Sequence, residues 1–420
     1  MIKVLWFTGV QLPAVTGQGL KRAGWQEGLR KALGNYFPDI QLGIASYGEK
    51  EYQPFTDGNS TYFNILREPG PMTKWDRLIR NWKHLDIRKG ELSRCLEIID
   101  FFSPDLVFIF GTENPFGLLA DQLAVPVVIS MQAIINGYKK YVFHGLPFQD
   151  IVSELVSKKF LLGRGVFHKW WNMVQQAKME KKIFSRCHFF DGRTDWDKKW
   201  LCELNPQAKY FHIDRVLGDE YYKQKWSSDR ARKKMVYTTS SNASFKGGGT
   251  LVKAFQELKM RGRDDIRLRM AGVHPHSRVG KTIQRMIRDY KLHDQVFLLG
   301  RIPPAQVTEE LLRASVFVLP SHIDNSPNSL AEAMIIGTPS IASNAGGIPS
   351  MLENNKEGYI YPHQDTQSLA DRIERIIDDR DRAEEFGKKA RERAIERHNP
   401  QKIAEATVSM YQKVLNDDVY

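Results

Sequence analysis

Two carboxylates and a lysine define the chemistry open to this 420-residue chain. Asp324 and Glu332 lie in the segment Val316–Met351, VFVLPSHIDNSPNSLAEAMIIGTPSIASNAGGIPSM. Val316–Leu319 is apolar and reads as a strand ending at Pro320, and Ser329–Ile336 reads as a helix stopped by Gly337. Asp324 then falls in the connecting loop and Glu332 in the first turns of the helix. Between them lie the unpaired N–H groups of the helix N-terminus, near Ser326–Leu330, which form an anion site. Carboxylates beside an anion site make sense as acceptors for hydroxyl groups on either side of the anion. A sugar and a ribose flanking a diphosphate fit that description. Gly346-Gly347 further on allows close backbone approach to a ligand. An ordinary βαβ unit with chance acids is the alternative.

A second segment, Val236–Phe255 (VYTTSSNASFKGGGTLVKAF), sets Lys246 before three glycines and a helix. A cation there could meet a phosphate; a solvated lysine on a common glycine-rich turn is the other reading. Leu298-Leu299-Gly300-Arg301 is a strand end that presents backbone, or a plain strand terminus.

These segments need a scaffold, and the chain alternates strand and helix patterns almost throughout. Ile2–Thr8, Ile40–Ala45, Tyr62–Leu66, Leu106–Phe110, Val127–Met131 and Cys187–Phe190 read as strands. Helices are expected at Leu20–Leu33, Leu92–Phe102 and, for the most part, Asp150–Phe184. The pattern restarts with strands at Met235–Thr239, Ile266–Ala271, Val296–Leu299, Val316–Leu319 and Ser340–Ser343, with helices between them and a helical last 55 residues. This predicts an α/β protein of two Rossmann-like doubly wound domains, with parallel sheets covered on both faces. The break falls in the polar stretch Asp214–Asp229. The expected domains are 1–213, 214–399 and a helix at 400–420 crossing back to the first. Ligands of such sheets bind beyond the carboxyl ends of the strands.

The Val316–Met351 segment resembles the donor-binding signature of family 4 glycosyltransferases, retaining enzymes of the glycosyltransferase-B fold. Pro320-Ser321, Asp324, Glu332-Ala333-Met334, Gly337-Thr338-Pro339 and Gly346-Gly347 carry the resemblance. Asp324 stands where Glu is usual, and Ser350 where an acid often follows. The resemblance implies two domains facing each other across a cleft. The second would bind a nucleoside diphosphate sugar through Ser241, Lys246, Gly247, Gly300, Arg301, Asp324, Asn325, Ser326, Asn328, Ser329, Leu330, Glu332, Gly346 and Gly347. Asp324, Lys246 and Glu332 would be catalytic: Asp324 toward the sugar, Glu332 toward the ribose, Lys246 toward the diphosphate. The family's usual Arg is absent, because Ser241 occupies its position. Metal and resident cofactors are not implied. An inactive glycosyltransferase-like binding subunit and a sugar-nucleotide epimerase of the same fold are the alternatives.

The first half should bind the acceptor, a carbohydrate or lipid-linked group. Gly17 lies in a glycine-containing loop after the first strand, and Glu113 and Gln132 sit just beyond later strands. Arg193, in Asp191-Gly192-Arg193-Thr194 after the last strand of this half, is placed at the domain interface. Loop capping is the alternative for Glu113 and Gln132, and a helix cap at Thr194 or Asp195 for the Asp191–Thr194 run. Asp195-Trp196-Asp197 spells a short metal-binding pattern, but at a helix start it reads as a cap. His322 reads as a solvated loop residue.

Composition bounds the rest. With 42% hydrophobic and 26% charged residues the chain is globular and not disordered. Three cysteines, Cys95, Cys187 and Cys202, form no CxxC pair and point to a reducing compartment. Residues 139–200 hold 13 Lys/Arg against 6 Asp/Glu, beside Phe160, Phe167, Trp170 and Trp171. This predicts an anionic membrane surface as partner and a cytoplasmic location at its inner face. Without a helix-turn-helix, zinc module or ribonucleoprotein signature, nucleic acid is not expected. A solvated basic helix face is the plainer reading.

Overall fold

Side chains on a strand alternate faces, and strand β1 (Lys3–Thr8) uses both. Val4 and Trp6 pack into one apolar layer with Leu42, Ile44, Phe108 and Tyr411, while Leu5 and Phe7 pack into another with Val107, Ile109, Ile183 and Phe184. A strand apolar on both faces belongs inside a parallel sheet. The computed structural model describes residues 2–16, 24–48, 52–66, 73, 75, 78, 79, 82, 89–232 and 234–417.

The chain forms two compact units, residues 1–139 with 152–216 and 399–420, and residues 140–151 with 217–398. In the first unit β1 is joined by β2 (Gln41–Gly48), β3 (Phe55–Asp57), β4 (Ser60–Leu66), β5 (Leu106–Phe110), β6 (Val127–Ser130), β7 (Phe189–Gly192) and β8 (Lys209–His212). Their order is β3-β4-β2-β1-β5-β6-β7-β8, all parallel except the short β3. The last helix, Pro400–Leu415, packs on this sheet, and the Trp6 indole donates to the Tyr411 hydroxyl at 3.2 Å.

The second unit holds β9 (Met235–Thr239), β10 (Arg267–Ala271), β11 (Val296–Gly300), β12 (Val316–Leu319), β13 (Ser340–Ser343) and β14 (Gly358–Tyr361). These run parallel in the order β11-β10-β9-β12-β13-β14. The order reverses between β9 and β12, so the loops leaving those two strands open the crevice where doubly wound sheets bind ligands. In the first sheet the reversal lies between β1 and β5.

Some boundaries differ from the sequence expectation. The strand expected at Cys187–Phe190 runs Phe189–Gly192, and β8 follows it, so Asp191–Thr194 does not follow the last strand of its sheet. The β8 strand KYFH has no apolar run, because it lies at the sheet edge. The stretch 150–184 is mostly helical as expected, in three helices, Phe148–Leu155, Lys158–Leu161 and Val166–Arg186. Lys140–Ile151, inside the span expected to form the first domain, groups with the second unit. Asp150 holds it there, accepting from both Arg285 nitrogens at 3.1 and 3.0 Å and from Thr282 Oγ1 at 3.1 Å.

Candidate functional site

The second unit brings its site together by backbone contact. The loop after β9 ends at Gly247, in the left-handed region at φ 74°, where a Cβ would overlap the Pro320 carbonyl oxygen after β12. Only glycine lets the two loops meet so closely. Lys246, the preceding residue, then reaches the other loop and places Nζ 2.5 Å from Asp324 Oδ2. Ser321 Oγ donates to the same oxygen at 3.3 Å. From the loop after β13, the Gly347 N–H donates to the Asp324 carbonyl at 2.9 Å. Gly346 has φ 58°, and a Cβ there would strike that carbonyl oxygen. The close approach allowed by Gly346-Gly347 is therefore spent on Asp324's backbone. These glycines hold the acid in place.

The helix Asn328–Ile336 starts four residues after Asp324. Its N-cap is Pro327, whose side chain makes no capping hydrogen bond. Ser326, Asn328 and Ser329 are half-buried there and Asn325 is buried. The Leu330 side chain lies in the core and its N–H donates to the Pro327 carbonyl at 3.1 Å. Glu332 is half-buried beside Tyr221. Burial, reinforced by the charge of Glu220, pushes its carboxyl up to about 7. Tyr221 was missed because it sits in the polar stretch Asp214–Asp229, read as a break; its aromatic pair Tyr221-Tyr222 was the available signal.

A raised carboxyl value favours the neutral folded form. The stabilisation is complete below the unfolded value near 4.5 and is lost as pH rises through about 7. Glu332→Gln is therefore expected to raise the stability of the protein at pH 8 by on the order of 1 kcal/mol and to change little at pH 5. Thermal melting at the two pH values checks this; an equal shift at both would remove the titration of Glu332 as the cause.

Ser241 caps a turn, its Oγ accepting the Ala243 N–H at 3.2 Å. The Gly300 carbonyl accepts the Gly272 N–H at 2.7 Å, tying the ends of β10 and β11, and Arg301 is exposed. His322 is not solvated. It is fully buried, its N–H donates to the Phe245 carbonyl at 2.7 Å, and Nε2 lies 3.4 Å from Thr250 Oγ1. Burial, with His144 and His363 nearby, lowers its imidazole to about 4. Its neighbours come from distant parts of the chain, so no local signal marked it.

In the first unit Glu113 and Gln132 come together beyond β5 and β6, both within reach of Gly111. Glu113 Oε1 accepts the Ala133 N–H at 3.3 Å, and burial pushes its carboxyl up. Gln132 donates to the Ser130 carbonyl at 3.3 Å and accepts from Arg215. Arg193 is 1% exposed and donates to the Met131 carbonyl and, at 3.1 Å, to Ser130 Oγ. It is thus an internal clamp between the ends of β6 and β7. Arg215, over the Trp25 ring at 4.4 Å, and Asp191, whose carboxyl burial raises to about 7, complete this cluster and were not foreseen. Gly17 lies outside the described residues. Asp197 belongs to a capping box: its side chain accepts from the Thr194 N–H at 3.3 Å, while the Asp197 N–H donates to Thr194 Oγ1 at 3.2 Å. Tyr210 also donates to Asp197, at 2.8 Å.

Residues 220–393, which lie in the second unit, match the family model of glycosyl transferases group 1. Over 176 residues the chain is 31% identical to a putative colanic acid biosynthesis glycosyltransferase, WcaL, of Salmonella typhimurium; the match covers 40% of this chain and 42% of that protein. The chain thus spans about two fifths of the length of the curated relatives it matches. Among solved structures, sucrose-phosphate synthase of Thermosynechococcus elongatus aligns over 99% of both chains with TM-score 0.71 at 18% identity. Anabaena HepE in complex with UDP-glucose aligns over 98% of this chain and all of that one, with TM-score 0.67 at 14% identity. At these identities the likeness is one of fold, the glycosyltransferase-B fold.

Proposed function

We propose that the protein transfers a sugar from a nucleoside diphosphate sugar to an acceptor hydroxyl with retention at the anomeric carbon, in the synthesis of a bacterial surface polysaccharide or glycolipid. The observation that carries this reading is the Lys246–Asp324 pair held beside the first turn of the Asn328–Ile336 helix, with Glu332 one turn further in. UDP-glucose in the HepE structure is the kind of donor this arrangement suits.

In this reading residues 214–399 bind the donor, residues 1–213 the acceptor, and the 400–420 helix belongs with the first domain. Lys246 and the first helical turn receive the departing diphosphate, and such preorganised donors are usually the largest catalytic contribution. Asp324 accepts from hydroxyls of the transferred sugar and Glu332 from those of the ribose. The bond from the anomeric carbon to the phosphate oxygen breaks and a bond to the acceptor oxygen forms. The acceptor proton passes to the leaving phosphate. Glu113 and Gln132 lie on the acceptor side. No resident cofactor is needed, nucleic acid is not a partner, and the work is done in the cytoplasm on an anionic membrane surface. Among the described residues no helix is long and apolar enough to cross a membrane.

Release of labelled nucleoside diphosphate from UDP, GDP and ADP sugars tests the reading. Binding without turnover of any donor would favour an inactive binding subunit, a possibility raised by the turn-capping role of Ser241 where relatives carry a cation. Activity is expected to survive EDTA, since Lys246 supplies a charge-assisted bond worth roughly 1.5–3 kcal/mol to the leaving group. Loss on chelation, restored by Mn²⁺, would overturn that and return attention to Asp195 and Asp197.

A further inference from the structure

We propose that the Val152–Arg164 hairpin of the first unit is a preformed apolar knob that inserts into the headgroup layer of an anionic bilayer. This rests on the membrane-surface reading above and names the element and the residues that make the contact.

The four aromatic residues that drew attention in the sequence are not those contacts. Phe160, Phe167, Trp170 and Trp171 are all half-buried. Phe160 packs against Trp82 at 5.5 Å, Phe167 at 5.5 Å and His168 at 5.2 Å. The Trp82 indole donates to the Leu161 carbonyl at 3.3 Å, and the Trp171 indole donates to the Trp82 carbonyl at 3.2 Å. Ser157 caps the Lys158–Leu161 turn through the Phe160 N–H. Glu154, the one acid between residues 152 and 169, accepts the Val166 N–H. Ring packing on the inner side and backbone bonds at both ends fix the hairpin.

What it turns outward is apolar. Val156 is 86% exposed, Leu161 67%, Leu162 51%, Val152 44% and Leu155 42%. Single exposed apolar residues are ordinary, but five within eleven positions of a pinned hairpin form an interaction surface. Lys158, Lys159, Arg164 and Lys169 interleave with them and are exposed. Apolar tips among cations, with the local acid engaged inside, suit the boundary between anionic headgroups and acyl chains. A second copy of the chain would bring the same four cations against themselves, and so fits less well.

Co-sedimentation with vesicles of phosphatidylcholine, with and without phosphatidylglycerol, tests this. Wild type is expected to bind the anionic vesicles at low salt, less at high salt, and the neutral ones weakly. Val156→Asp/Leu161→Asp and Lys158→Glu/Lys159→Glu should each lose at least about tenfold in vesicle affinity, with the melting temperature unchanged because all four positions are exposed. Nucleoside diphosphate release with a soluble acceptor should be the same in all three proteins. No binding by wild type, equal binding to neutral vesicles, or unchanged binding by the Val156/Leu161 variant would overturn the proposal. So would a dimer in light scattering that the Val156/Leu161 variant makes monomeric, since the occupant would then be a second copy. If no protein, wild type included, releases nucleotide, the transferase reading fails while the vesicle result still decides this one.

Discussion

Gly247→Ala is expected to abolish most nucleotide binding, while Gly262→Ala, with almost the same backbone conformation, leaves it intact. Both glycines are left-handed, at φ 74° and 77°. A non-glycine residue in that region costs on the order of 1–3 kcal/mol wherever it occurs. The two differ in surroundings. A Cβ at position 262 meets nothing within 4 Å, whereas one at 247 would overlap the carbonyl oxygen of Pro320. That oxygen is backbone and cannot swing aside as a side chain would. The loops after β9 and β12 would have to part, and Lys246 would be drawn from Asp324. We expect Gly262→Ala to cost about 1 kcal/mol of stability with nucleoside diphosphate affinity unchanged. For Gly247→Ala the cost is larger by roughly 1–3 kcal/mol, the range for overpacking, and affinity falls by about a hundredfold. Urea unfolding and calorimetry with the diphosphate measure the two. Equal effects at both positions would show that the loop contact does not organise the site.

The donor side was legible because its chemistry is local. Val316–Met351 carries strand, loop, helix and second strand in one run, and the strands Val316–Leu319 and Ser340–Ser343 fall at the expected residues. Apolar runs cut off by Pro320 or opened after Pro339 have sharp boundaries. The capping box at Thr194 and Asp197 was likewise spelled out by adjacent residues. Edge strands such as Phe55–Asp57 and Lys209–His212 were obscure for the opposite reason, since exposed strands need no apolar pattern. Partnerships across long separations were hidden altogether. Nothing near Asp150 announces Arg285, and nothing near Gln132 announces Arg215. Charge reads locally as surface, so the burial of Arg193 and Asp191 was not visible in the sequence.

The two donor acids should separate in their effects on nucleotide and sugar. Glu332 is assigned to the ribose, which the free nucleoside diphosphate shares with the whole donor. Glu332→Ala should weaken diphosphate binding by on the order of 1.5–3 kcal/mol, about ten- to a hundredfold. Asp324 is assigned to the sugar, which the free nucleotide lacks. Asp324 also pairs with Lys246, at 2.5 Å. Removing it frees that ammonium for the phosphates, so Asp324→Ala should leave diphosphate affinity undiminished. For the intact donor the same variant loses its acceptor for the sugar hydroxyls, and kcat/KM should fall by about ten- to a hundredfold. Asp324→Glu restores the family's usual residue but lengthens the side chain by one methylene inside a loop clamped by Ser321, Lys246 and Gly347. Misplacement of the sugar is costly in itself, so this variant is expected to lose kcat with donor KM near that of wild type. Calorimetry with the diphosphate, set beside kinetics with the donor, decides the matter. If Asp324→Ala and Glu332→Ala weaken the free nucleotide equally, the division of labour between them is wrong, and Asp324 serves mainly to hold Lys246 in place.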